Sequence, residues 1–202
     1  MKEVYTEKQA EDFLASRGFG IVEGFFVSRK KDLRKIIVML GFPLVIKVSG
    51  KQIVHKNKVD GVITGVRSYA SLEKSFEKLM RIPGASGVMI QRQLSGKEFL
   101  LGIKETPEFG KVIAFGAGGI HTEEKKDVSF RAINFFKEKD ALEMISEIND
   151  AKKVSNLERN KIKEILLHLV EFARRYPRVY ELDINPLING KIVDARIVFH
   201  NI

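Results

Sequence analysis

Apolar residues recur every three or four positions in some stretches of this chain and every second position in others, and the two periods predict its helices and strands. Ala10, Phe13 and Leu14 form a helical stripe behind the capping pair Thr6 and Gln9, and Gly18 stops it. A second helix begins near Ser28, buries Leu33, Ile36, Ile37 and Leu40, and ends at Gly41. A third covers residues 71–80 through Leu72, Phe76 and Leu79, and a fourth covers 140–148 with Asp140 as its cap. After a charged, loose connection at 149–160, a long helix carries Ile162, Ile165, Leu166, Leu169 and Ala173, with His168 at its boundary. Strands are predicted at 25–27, 43–48, 61–66, 87–91, 99–104 and 111–115. The Pro83-Gly84 turn is the candidate lobe boundary, giving an N-terminal helix (1–18) packed on the second lobe, a first lobe (19–85) and a second lobe (86–202).

The most informative stretch is 181–199, ELDINPLINGKIVDARIVF. Asn189-Gly190 between two apolar-rich runs signals a two-residue hairpin turn, which fixes the register. Ile188 then faces Lys191, Leu187 faces Ile192, Asn185 faces Asp194 and Asp183 faces Arg196. Alternation puts Glu181, Asp183, Asn185, Asp194 and Arg196 on one face, with Leu187 and Ile192 nearer the turn. Opposed residues lie about 5 Å apart at Cβ, so Asn185 and Asp194 can aim two oxygens at one point. That suits a magnesium ion that also touches phosphate, and it equally suits a pair that only satisfies itself or nearby backbone. Asp183 opposite Arg196 reads as an ion pair.

Other polar positions carry two readings each. Lys47 interrupts the apolar strand PLVIKV; it either meets an anion or snorkels from an edge strand. Gly116-Ala117-Gly118-Gly119 follows a strand and lets backbone approach a ligand, or simply turns tightly. It fits neither the dinucleotide nor the phosphate-loop glycine spacing. His55 lies in a polar, basic loop at 50–60, where a lone histidine is ordinarily just solvated.

Composition narrows the classes. A chain of 202 residues, 44% hydrophobic and 30% charged, builds one ordinary domain or two small lobes. No apolar run approaches the roughly 20 residues of a membrane span, and the N-terminus carries no apolar signal stretch, so the expected compartment is the cytoplasm. Zero cysteines exclude disulfides and thiolate metal sites. The net charge of +9 points to an anionic partner, but its basic residues are dispersed and show no nucleic-acid-binding signature, so a basic solvated surface explains it better.

FPLVIKVSG followed by His55-Lys56, GKEFLLGIKETPEFGKVIAFGAGGI, KDVSFR, and ELDINPL followed by VDAR occur in that order. The combination resembles the ATP-grasp beta subunit of ADP-forming acetyl-CoA and other acyl-CoA synthetases, related to succinyl-CoA synthetase beta chains, over nearly the whole chain. The resemblance implies an α+β ATP-grasp fold whose two lobes, with mixed and antiparallel sheets, clamp a nucleotide. It implies that Lys47 contacts nucleotide phosphate, that Gln91 to Leu94 join the lobes and line the adenine, and that Glu98 lies near the ribose. It matches Asn185 and Asp194 to magnesium ligands, the pair that the hairpin register places together. It matches His55 to a histidine that takes the phosphoryl group, and Glu123 to an acid near it. ATP or ADP is then a substrate with Mg2+, and the partner is a CoA-binding alpha subunit carrying a phosphohistidine loop. Arg92 stands where the family often has an acid, and Asp60-Gly61 where paired glycines are common. Another ATP-grasp carboxylate ligase and a non-catalytic nucleotide-binding regulatory subunit remain the alternatives.

Overall fold

A computed structural model describes residues 2–50, 53, 59–119 and 127–200. The chain divides into two compact units, Val22–Leu94 and Met1–Ile21 with Ser95–Ile202. The expected boundary after residue 85 falls instead between Leu94 and Ser95, and the reason is strand pairing. In the smaller unit β2 (Gly24–Val27), β3 (Leu44–Ser49), β4 (Val62–Val66) and β5 (Gly87–Arg92) form one sheet in the order β2-β5-β3-β4. β5 is hydrogen-bonded on both sides, so it belongs with the strands before it.

Two helices cover one face of this sheet. Lys30–Asp32 forms a short 3-10 turn where the second helix was expected to begin, and α2 follows at Leu33–Leu40. α3 spans Tyr69–Met80; the Ser68 hydroxyl accepts from the Ser71 amide, supplying one of the partners a helix start lacks. Leu33, Ile36, Leu72 and Leu79 pack on Leu44, Ile46, Val48 and Ile90, which alternate along their strands as a half-covered sheet requires.

In the larger unit β1 (Glu3–Val4), β6 (Glu98–Thr106), β7 (Gly110–Ala117), β8 (Val128–Ala132), β9 (Val179–Ile188), β10 (Lys191–Ile192) and β11 (Ala195–Phe199) make a seven-stranded sheet. Its order is β1-β11-β9-β6-β7-β8, with β10 paired to β9, and each pairing is antiparallel. α1 (Glu7–Ala15) starts in the expected capping box, where the Thr6 amide donates to Gln9 Oε1 at 2.9 Å. α4 spans Glu138–Glu147; Asp140 is in its first turn rather than before it, and accepts from the Lys137 amide at 2.7 Å. α5 runs Asn156–Arg175 from a Ser155 cap, so much of the expected loose connection is helix, preceded by a 3-10 turn at Ala151–Lys153.

These three helices and the sheet share one core, in which Phe99, Leu101, Ile103, Ile113 and Phe115 meet Leu14, Met144, Leu166 and Leu169. Truncating one such leucine costs about 2–5 kcal/mol through lost transfer energy and the cavity left behind. His168, on the rim of α5, stacks on Phe19 with centroids 4.2 Å apart. No described helix is long and apolar enough to cross a membrane.

Candidate functional site

The sheet of the larger unit turns its second face away from the helices. On that face the register sets Gly102 opposite Asp183 and Lys104 opposite Glu181. The β9–β11 hairpin has the expected register: Ile188 pairs Lys191, Leu187 pairs Ile192, Ile184 pairs Ala195 and Asp183 pairs Arg196. Asn185 lies across from Asp194, its amide donating to the Asp194 carbonyl at 3.2 Å.

One part of the expected face pattern is wrong. Leu187 and Ile192 are each 1% exposed and belong to the core, not to the polar face. Along β6 the partner of β9 steps from Leu101 to Phe99, while β9 steps from Ile184 to Leu187. Asn185 and Pro186, joined by a cis peptide bond, are thus the bulge, and the extra residue reverses the alternation beyond them. Opposite it, Val193 and Asp194 lie between β10 and β11 rather than in either.

The bulge brings Asn185 to the glycine cluster. Asn185 Oδ1 accepts from the Gly119 amide at 3.0 Å, and the Gly118 amide donates to the Glu98 carbonyl at 2.7 Å. Gly119 has φ +92°, and a Cβ there would collide with the Glu98 carboxylate; at Gly118 a Cβ would lie 2.6 Å from the Phe99 carbonyl carbon. The close approach here is to the chain's own Glu98 and Phe99, and side-chain-free backbone is what lets Glu98, Gly119 and Asn185 meet.

Acidic charge gathers beside them. Burial first, then the charges of Glu181 and Asp194, push the Asp183 carboxyl above its ordinary value, against the pull of Arg196. Arg196 makes its ion pair with Glu181 at 3.7 Å, not with Asp183 as the register suggested. Among the described residues no three His, Cys, Asp or Glu side chains form a ready-made metal cage. Asn185 Oδ1 and Asp194 are nevertheless hard oxygen donors of the kind magnesium takes, and a carbonyl oxygen bonded to one amide keeps a second lone pair.

In the smaller unit, Lys47 is opposite Met89, and Gln91 is opposite Val45 and Gly24. These residues share the sheet face turned away from the helices. Lys47 is 4% exposed and Gln91 0%. β3 is an interior strand, flanked by β5 and β4, which removes the edge-strand explanation of Lys47. Leu94 is half-buried and ends the unit, just past β5. Between them Gln93, within the expected lobe-joining segment, ties this stretch down: its Oε1 accepts from the Gly65 amide at 2.7 Å and its backbone amide donates to the Pro43 carbonyl at 3.0 Å. Lys47 and Gln91 are therefore brought together on one sheet, and Glu98, Asn185 and Asp194 around one bulge of the other. His55 and Glu123 lie outside the described residues.

A family model described as ATP-grasp domain matches residues 1–199. The chain is 38% identical over 202 residues to ADP-forming acetate–CoA ligase II of Archaeoglobus fulgidus, an alignment covering 95% of this chain and 30% of that protein. It is 32% identical over 212 residues to the beta subunit of ADP-forming acetate–CoA ligase I of Pyrococcus furiosus, covering 95% of this chain and 90% of the subunit. The chain thus spans about a third of the single-chain ligase and most of the separate beta subunit. Acetyl-coenzyme A synthetase 1 of Ca. Korarchaeum cryptofilum, solved with coenzyme A, Ca-AMPCP and HgCl+, has a TM-score of 0.86 at 28% identity, covering 98% of this chain and 94% of that one. A second structure of that enzyme, with coenzyme A and Mg-AMPPCP and its phosphohistidine segment pointing towards the nucleotide binding site, has a TM-score of 0.79. With the matched family model, two sheet-bearing units and the ordered motifs in agreement, the chain belongs to the ATP-grasp family that includes the beta subunits of ADP-forming acetate–CoA ligases.

Proposed function

We propose that this chain is the nucleotide-binding subunit of an ADP-forming acyl-CoA synthetase and moves a phosphoryl group between a phosphohistidine and ADP or ATP. The observation that carries this reading is Asn185, set across from Asp194 and hydrogen-bonded to Gly119 at the end of a glycine-rich strand, in a chain that aligns along 90% of an ADP-forming acetate–CoA ligase beta subunit. Asn185 and Asp194 are the residues that would hold Mg2+, which when bound offsets charge on phosphate oxygens. The Lys47 ammonium is the residue for a nucleotide phosphate, Gln91 and Leu94 for the base, and Glu98 for the ribose.

His55 is assigned as the phosphoryl acceptor and Glu123 as the acid beside it. In the direction of ATP use, an imidazole nitrogen of His55 attacks the γ-phosphorus. A nitrogen–phosphorus bond forms, the bond to the bridging oxygen breaks, and ADP leaves with the electron pair. The reverse step makes ATP. The acyl-CoA chemistry belongs to a CoA-binding alpha chain that delivers the phosphoryl group on its own histidine loop, and the expected compartment is the cytoplasm.

The test is phosphoryl exchange between labelled ADP and ATP, measured with the CoA-binding companion chain and magnesium present. Exchange that requires the companion, with an acid-labile label lost in His55→Asn, is expected. Nucleotide binding with no exchange under any condition would make the chain a regulatory subunit. Turnover of an acid and an amine without CoA would make it a different ATP-grasp ligase.

A further inference from the structure

A cavity of about 360 Å3 opens in the larger unit where α1 and α5 both end, beside β1 and β11. It is at the far end of the hairpin from the bulge, since Phe199 in its wall is five residues along from Asp194, about 16 Å at the usual strand rise. Its floor is aromatic. Tyr5 and Phe13 have ring centroids 5.7 Å apart, Tyr5 and Phe199 4.7 Å, and Phe13 and Tyr176 5.7 Å. Its charge comes from Arg17, Arg175 and Arg178, against which Glu3 is the one carboxylate in the lining.

Two helix C-termini would ordinarily repel an anion here, because their last carbonyls carry partial negative charge. In this cavity the chain's own donors occupy several of them. Arg17 Nη1 bonds the Phe13 carbonyl at 2.9 Å, and Lys111 Nζ bonds the Tyr176 and Pro177 carbonyls at 3.2 and 2.7 Å. The Arg17 guanidinium carbon lies over the Phe13 ring, 3.3 Å from its centroid, and its Nε is buried with no hydrogen-bond partner among the described residues. Positive charge therefore prevails over an apolar, ring-lined floor of small-molecule size.

We propose that this cavity binds a small planar carboxylate, with its ring on the aromatic floor and its carboxylate between the guanidiniums of Arg175 and Arg178. Guanidinium and aromatic faces favour a flat ring, and the guanidinium fork favours a carboxylate. The proposal stands apart from the phosphoryl-transfer reading, because none of its residues is assigned to nucleotide or magnesium.

The experiment titrates benzoate into the isotope-labelled chain and follows amide shifts around Tyr5 and Tyr176. Benzamide serves as the uncharged isostere and acetate as the ringless anion. Saturable shifts with benzoate alone are expected, persisting in the presence of magnesium and nucleotide. The exposed pair Arg175→Ala and Arg178→Ala, substituted together, should weaken binding at least about tenfold, the scale of a lost charged hydrogen bond. Equal binding of benzamide or acetate, displacement by nucleotide, unchanged affinity in the double variant, or no saturable shift would each overturn the proposal. An exchange assay on the same variant separates this outcome from failure of the nucleotide reading, since phosphoryl exchange is expected to be intact.

Discussion

The amide of Gly119 donates to Asn185 Oδ1 at 3.0 Å, joining the strand end of β7 to the bulge in β9. The contact orients the Asn185 carboxamide, so two consequences of losing that side chain can be separated. Asn185→Ala should remove magnesium-dependent nucleotide binding and also cost about 1 kcal/mol of stability, the net worth of a typical hydrogen bond. Asp194→Ala should give the same loss of magnesium dependence. Isothermal titration of Mg-nucleotide beside urea denaturation tests both, and unchanged nucleotide affinity in Asp194→Ala would remove the assignment.

Gly118 and Gly119 should differ in kind. Gly118→Ala drives a Cβ to within 2.8 Å of three Phe99 backbone atoms, which cannot yield as a side-chain tip can. It should destabilise the chain by about 1–3 kcal/mol, as overpacking does. Gly119→Ala meets only the movable Glu98 carboxylate but holds a left-handed backbone, so about 1 kcal/mol is expected. Denaturant midpoints of the two variants measure the order.

Lys47→Met keeps the volume of a side chain that is 4% exposed and removes its charge. Nucleotide affinity should fall at least about tenfold, and by more than any loss of stability accounts for. A matched loss of stability and affinity would assign Lys47 to the fold alone.

Asp183 and Glu147 should titrate with opposite signs. The folded chain holds the Asp183 proton more tightly than the unfolded one, so the stability this group supplies is full below pH 3.8 and lost as pH rises through the higher folded value. Asp183→Asn should raise the melting temperature at neutral pH and leave it unchanged in acid. The Arg131 guanidinium, then the Ser129 hydroxyl, hold Glu147 below 4.5, so its contribution is present above that value and lost as pH falls through the lower folded one. Glu147→Gln should therefore lower the neutral melting temperature. Melts across a pH series distinguish the two.

Lys111 Nζ lies 3.4, 3.2 and 2.7 Å from the carbonyls of Ala173, Tyr176 and Pro177. Burial lowers its pKa, and it joins the Tyr176 and Val179 amides, which donate to the Phe172 and Tyr176 carbonyls, in closing that helix end. Lys111→Met should cost about 1 kcal/mol, the net worth of a typical hydrogen bond, and chemical denaturation reads it.

The hairpin was legible because Asn189-Gly190 sets its register locally, and that register placed Asn185 against Asp194. The reversal at Leu187 was not, because it arises from how β9 pairs with β6, a strand more than 80 residues earlier. β5 was assigned to the wrong unit for the same reason: Pro83-Gly84 is a visible turn, while pairing to β2 and β3 is settled at a distance. β8 escaped notice because VSFRA, though it alternates, is only a five-residue edge strand with its burial inverted, Ser129 being 4% exposed and Phe130 60%. The edge-strand reading of Lys47 fell only once the strand order made β3 interior.

The ammonium of Lys111 fastens the first turn of β7 to the tail of α5, and seven residues on, the Gly118 amide is held by the Glu98 carbonyl. The strand is thus moored at both ends, and the peptide that reaches Asn185 begins from a fixed berth. A substitution at Lys111, on the opposite side of the sheet from Asn185, should therefore be audible in the placement of Gly119 before it is visible in the fold.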